Sequence, residues 1–244
     1  MLPFTPEQFL GVFVNYNNAI WPIQIAAYVL GAISIASLLR RTRAADRVIA
    51  GILAAMWLWT GIAYHGVFFA TINRAAYLFG ALFVIQGAYL LYSGVHHDRL
   101  RFGLGGGPTV WIGAALVIYA AILYPLIGMW TGHVYPEMPV FGVTPCPVTI
   151  FTFGMFLLTT QPISRWLLVI PFIWSLIGGS AAVLLHVPQD WLLLVSGFIT
   201  VLLIIVRDRA VQRLAASGGD RGLTELVNPS HAQARIRQPC QTRS

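Results

Sequence analysis

Cys146 stands between two prolines in the run Thr144-Pro145-Cys146-Pro147. Two prolines remove two amide donors and bias the backbone away from helix. The thiol is therefore expected on irregular backbone, where it suits a soft metal or a small neutral ligand. Its simpler role is a rigid turn into a helix, with Pro147 near the first helical position. Other ligand-type residues are His65, His133, Glu137, His186 and Asp190. Histidine, cysteine and carboxylate are the usual ligands of zinc and related ions, so His65, His133, His186 and Asp190 form a candidate site for a divalent metal. No compact motif such as His-Glu-x-x-His is present. His186 and Asp190 have the spacing of one helix face, but Pro188 stands between them. Gln86 is the most central strongly polar residue of any apolar stretch. It joins His65 and Cys146 as a candidate for lining a ligand vestibule, although an interhelical hydrogen bond would also account for His65 and for Gln86.

The elements that must position these residues are apolar. Of 244 residues, 9% are charged and 57% hydrophobic, and the mean hydropathy is +0.74. A soluble domain carries about 25% charged residues; this chain lacks the polar surface to cover a globule in water, and lipid is its expected solvent. All 15 basic residues are arginine, which excludes chemistry that needs a lysine amine, such as a Schiff base. The arginines flank apolar stretches, which points to membrane orientation and away from nucleic acid.

Thr5, Pro6 and Gln8 form a helix start with a capping box, and Phe4 and Phe9 are spaced as a hydrophobic staple. Residues 1–18 are read as a short interfacial helix. Seven apolar stretches follow in 19–206, near Ala19–Leu39, Val48–Ala70, Ala76–Val95, Thr109–Trp130, Val148–Thr160, Trp166–Leu185 and Pro188–Val206. The fifth is short, about 20 Å against a hydrocarbon core of about 30 Å. Residues 207–244 are basic, and from Ala215 they are expected to form a disordered cytoplasmic tail. No basic n-region precedes the first stretch, so a cleaved signal peptide is not expected.

The fold expected is thus all-α: a polytopic transmembrane bundle of about seven spans, N-terminus outside and C-terminus inside. On that topology Arg40, Arg41, Arg43, Arg47, Arg99, Arg101, Arg165, Arg207, Arg209 and Arg213 lie on the cytoplasmic side, against Arg74 alone in the outer loops. Cys146 and Cys240 would lie on opposite sides, which argues against a disulfide between them. No span carries a charge near its middle, which disfavours a proton relay or ion path.

Pro3-Phe4-Thr5-Pro6-Glu7-Gln8-Phe9, Asn18-Ala19-Ile20-Trp21-Pro22, Tyr64-His65, Phe68-Phe69-Ala70, Ile72-Asn73 and Thr144-Pro145-Cys146-Pro147 with Thr149–Gly154 resemble the bacterial membrane-protein family catalogued as domain of unknown function 6064. The resemblance runs from Pro3 to about Val206. It implies a multi-pass protein of the bacterial inner membrane and carries no catalytic residues. Three functions are open on these grounds: binding or transport of a small or soft ligand at an outer vestibule, a membrane-embedded metal-dependent hydrolase, and a non-catalytic assembly protein whose glycines let helices pack. Lipid is the expected partner; oligomeric state has no signature.

Overall fold

The computed structural model describes residues 3–185 and 187–227, with backbone alone for residues 181 and 214–227. The described residues form helices α1 (Pro6–Ala19), α2 (Ile23–Ser37), α3 (Arg43–Thr71), α4 (Ala76–His96), α5 (Pro108–Trp130), α6 (Pro145–Leu157), α7 (Trp166–Leu184) and α8 (Trp191–Val227). They include no strand, only an isolated antiparallel bridge between Phe102 and Thr159. Single π-helical segments interrupt α3 at Thr60–Phe68, α4 at Leu91–His96 and α5 at Tyr119–Leu123. The chain divides into two compact units, Met1–Ile204 and Ile205–Ser244.

Helix α1 begins as its sequence requires. Thr5 Oγ1 accepts from the Gln8 amide at 3.2 Å, Gln8 Oε1 accepts from the Thr5 amide at 2.9 Å, and the Phe4 and Phe9 rings stack at 5.9 Å. The chain then bends by 85° between α1 and α2. The Gln24 side chain donates across this bend to the Asn17 carbonyl at 2.8 Å.

Five helices (α3, α4, α5, α7 and the start of α8) are long and apolar enough to cross a membrane, or six if the bent pair α1–α2 is one span. This is fewer than the seven expected. Helix α6 has 13 residues, about 20 Å, and falls short of a bilayer core on its own. It starts at Pro145, three residues before the expected Val148, because proline is well suited to the first helical turn. Helix α8 is described to Val227, beyond Ala215 where a disordered tail is expected; no proline interrupts its hydrogen-bond ladder before Pro229. Residues 228–244, including Cys240, lie outside the described residues.

The long helices expose large apolar side chains, among them Ile25, Val29, Leu78, Ile85, Trp111, Ile122 and Leu202. Trp21, Trp130, Trp166 and Trp191 are half exposed or more, as expected of aromatics near span ends. By contrast, every residue from Met138 to Thr159 is buried. Helix α6 packs against α3, α5 and α7 and forms the axis of the bundle. Two glycine pairs permit such close approach. A Cβ at Gly113 would lie 2.9 Å from the Gly154 carbonyl oxygen, and one at Gly154 would lie 2.8 Å from that of Gly113. Gly61 of α3 and Gly80 of α4 meet in the same reciprocal way, at 2.8 and 2.7 Å. Small residues are what apolar helices use where no hydrophobic force drives them together.

The connections gather at two ends. At one, Arg41 donates to the Leu104 carbonyl at 3.3 Å and Arg47 makes a bidentate pair with Asp98 at 2.5 and 2.6 Å. Asp46 accepts from the Phe102 amide at 2.8 Å and from Arg101 at 3.2 Å, and the Thr160 amide donates to the Arg101 carbonyl at 2.8 Å. At the other end, α1 meets the loop 131–144: Asn17 Nδ2 donates to the carbonyls of Pro136 and Met138 at 2.7 and 2.8 Å, and the Tyr16 hydroxyl donates to that of Val143 at 2.6 Å.

Candidate functional site

A cavity of about 160 Å³ opens at the α1 end of the bundle. Its walls are apolar: rings come from Phe4 ahead of α1, Phe9 and Phe13 of α1, Tyr64 and Phe69 of α3, Phe79 of α4 and Trp174 of α7, and aliphatic side chains from Leu10, Ile177, Leu184, Leu185 and Val187. The α1 rings are held by their neighbours, with Phe13 stacked on Tyr64 at 5.6 Å and Phe4 edge-on to Phe69 at 5.6 Å. Cys146, the second residue of α6, lies on the wall. The dipeptide Gln189-Asp190, in the single 3-10 turn before α8, adds buried polar groups, beside Asn73, His133, Glu137 and Ser180.

Asp190 is 2% exposed. Its Oδ1 accepts from the Tyr124 hydroxyl at 2.6 Å, and Cys146 also lies within its reach. The backbone of the turn is fixed from α5, where the Tyr119 hydroxyl donates to the Gln189 carbonyl at 2.9 Å. Two side chains on this wall carry polar atoms without a nitrogen or oxygen partner among the described residues: Trp174 at its indole nitrogen, which has only the Cys146 thiol within reach, and Gln189 at both the oxygen and the nitrogen of its amide. Buried polar groups are nearly always hydrogen-bonded, so unpaired ones facing a cavity mark where a ligand or water completes them.

The residues singled out in the sequence distribute as follows. Cys146, His133, Glu137 and Asp190 all line the cavity. His65 does not. It is fully buried behind the wall, its ring 5.0 Å from that of Trp174 and 4.9 Å from that of Phe83. Neither of its nitrogens has a hydrogen-bond partner among the described residues, so the interhelical bond expected for it is not made there; the five rings of Tyr64, Phe69, Phe79, Phe83 and Trp174 surround it. Gln86 does make such a bond, Nε2 donating to the Leu167 carbonyl at 3.0 Å, and ties α4 to α7 away from the cavity. His186 lies outside the described residues. Among the described residues no three His, Cys, Asp or Glu side chains come together as a metal-ligand set.

Sequence reasoning passed over Trp174, Tyr124 and Gln189. Trp174 carried a usable signal, since a tryptophan in the middle of an apolar stretch is not an interfacial anchor and needs a partner for its N–H. Tyr124 and Gln189 carried none that distinguishes them from other polar residues near helix ends.

The described residues are helical, several of the helices are apolar and long enough to cross a membrane, and a cavity opens at one end of the bundle, a make-up compatible with the class of multi-span membrane proteins. More specifically, residues 6–215 match the model of the family described as Family of unknown function (DUF6064), and the chain belongs to that family. No curated protein and no solved structure shows a significant match to the chain.

Proposed function

We propose that this is an integral membrane protein of the bacterial cytoplasmic membrane that crosses it seven times, N-terminus outside and C-terminus in the cytoplasm, and binds a small, largely apolar ligand in the cavity beneath α1. The observation that carries the binding role is the cavity itself, with unpaired polar atoms on a largely apolar, ring-rich wall. Engineered apolar cavities of about 150 Å³ admit benzene, which sets the scale of the ligand. The topology is supported by the meeting of Arg41, Arg47, Arg99 and Arg101 with their neighbours at the end opposite the cavity, since cytoplasmic loops are the arginine-rich ones. The fifth crossing would be made by the whole buried run 138–159, an irregular entry followed by α6, which is permitted at membrane depth when the backbone is enclosed by protein. The helix α1, bent away from α2, would lie along the outer interface as a cover.

Cys146 makes the reading testable, because its thiol lies on the cavity wall and the sequence contains one other cysteine, Cys240. In a Cys240→Ser protein, a small uncharged methanethiolsulfonate added to membrane vesicles is expected to modify Cys146, with the mass adduct read by intact-protein mass spectrometry. Leu10→Trp, which puts a larger ring into the wall beneath α1, is expected to slow the modification several-fold without lowering expression. If Cys146 reacts only after unfolding, the cavity admits no ligand and the binding reading falls.

A further inference from the structure

We propose that the ligand of this cavity is a small organic cation, an alkylated amine or quaternary ammonium, held by the aromatic wall and Asp190. The inference rests on the binding role proposed above and assigns the charge class of what is bound.

The first ground is the balance of charge on the wall. Among the described residues Asp190, Glu137 and His133 line the cavity and no arginine does, while the chain contains no lysine. An anionic ligand would meet two carboxylates against a single imidazole. The second ground is Asp190 itself. Asp46 is paired with Arg101, Asp98 with Arg47 and Asp208 with Arg207. Asp190 is as buried as any of these, at 2% exposure, and has no ion pair among the described residues. A buried carboxylate is costly without a positive partner. The Tyr124 hydroxyl, the Cys146 thiol and the first turn of α8 supply only dipoles to it, so no full positive charge is paired with it among the described residues. That partner is expected inside the cavity, the space Asp190 faces.

The third ground is the nature of the remaining wall. Phe9, Phe13, Tyr64, Phe69 and Trp174 present rings from three helices around one small volume. Ring faces attract cations, and most strongly where water is excluded, which is the basis of aromatic cages for alkylated ammonium groups. A bare metal ion fits poorly, since rings and a single buried carboxylate do not replace its hydration shell. An organic cation of roughly six heavy atoms matches both the wall and the volume. The unpaired Gln189 amide and Trp174 N–H then read a hydroxyl or carbonyl elsewhere on the same molecule.

The test uses two probes of nearly the same shape that differ in charge: choline and 3,3-dimethylbutan-1-ol. Each is titrated into Cys240→Ser protein in detergent, and protection of Cys146 from the uncharged thiol reagent is followed. Choline is expected to protect at a concentration about tenfold or more below its neutral counterpart. Asp190→Asn keeps an acceptor for Tyr124 and is expected to abolish that preference, comparing rates with and without probe within each variant. Should Asp190→Asn fail to fold, the pair of probes in the parent protein decides the matter. Equal protection by both probes, or stronger protection by the alcohol, overturns the cation and leaves a neutral-ligand site. Protection by neither, with Cys146 still reactive, overturns the cation as well. A Cys146 that never reacts removes the binding reading beneath it.

Discussion

At the scale of single residues, burial without a partner is the recurrent feature. His65 is fully buried with both nitrogens unpaired inside a shell of five rings. An unsatisfied buried polar group costs about 1–3 kcal/mol, and a phenyl ring fits the same shell. His65→Phe is therefore expected to leave stability unchanged or raise it by about 1 kcal/mol, measured by thermal unfolding in detergent. A loss larger than about 1 kcal/mol would instead mean that the imidazole holds a water or ligand. Cys146 was legible as a distinctive position because two prolines mark it in the sequence, although it sits in the first turn of α6 and not on the irregular backbone expected for it. Gln189 became visible only in three dimensions, since what singles it out is the cavity beside it, and no local sequence pattern records that.

At the scale of elements, the helices were legible from apolar length, and the start of α1 down to its capping box. The burial of α6 was not. An apolar stretch reads alike whether lipid or protein surrounds it, and here Thr149 and Thr152 turn their hydroxyls back on the carbonyls of Pro145 and Val148, both at 2.8 Å. The π-helical segments were hidden for a similar reason, because they continue the apolar run of their helices. Close contact between α5 and α6 depends on Gly113 and Gly154. Gly154→Leu must displace one backbone from the other, and overpacking of this kind costs about 1–3 kcal/mol or more. Gly105→Ala, in open space, is the neutral control. Unfolding by a denaturing detergent is expected to separate the two, and equal midpoints would show that the α5–α6 contact is looser than described.

At the scale of the whole molecule, sidedness rests on arginine placement in the sequence, which depends on composition and not on packing, and it stands as part of the proposal. The number of crossings was less legible, since one of the seven apolar stretches is too short to span as a helix and another is bent. The topology proposed for the chain has a direct check. In a protein lacking Cys146 and Cys240, Gly105→Cys is expected to react with a membrane-impermeant maleimide only in inside-out vesicles, and Glu137→Cys only in right-side-out vesicles. Labelling of both from the same side would mean that α5, which separates the two positions, does not cross, and the opposite pattern would invert the assignment of ends. The enclosure of the run from Met138 to Thr159 also has a consequence for biosynthesis. In the proposed topology, a segment with no lipid-facing side has no stable place in the bilayer until its neighbours have closed around it, and one of those neighbours, α7, is made after it. The axis of this bundle thus leaves the ribosome before its enclosure is complete. During that interval the nascent chain needs either the insertion machinery or α3 and α5 to shelter the polar backbone of residues 138–144.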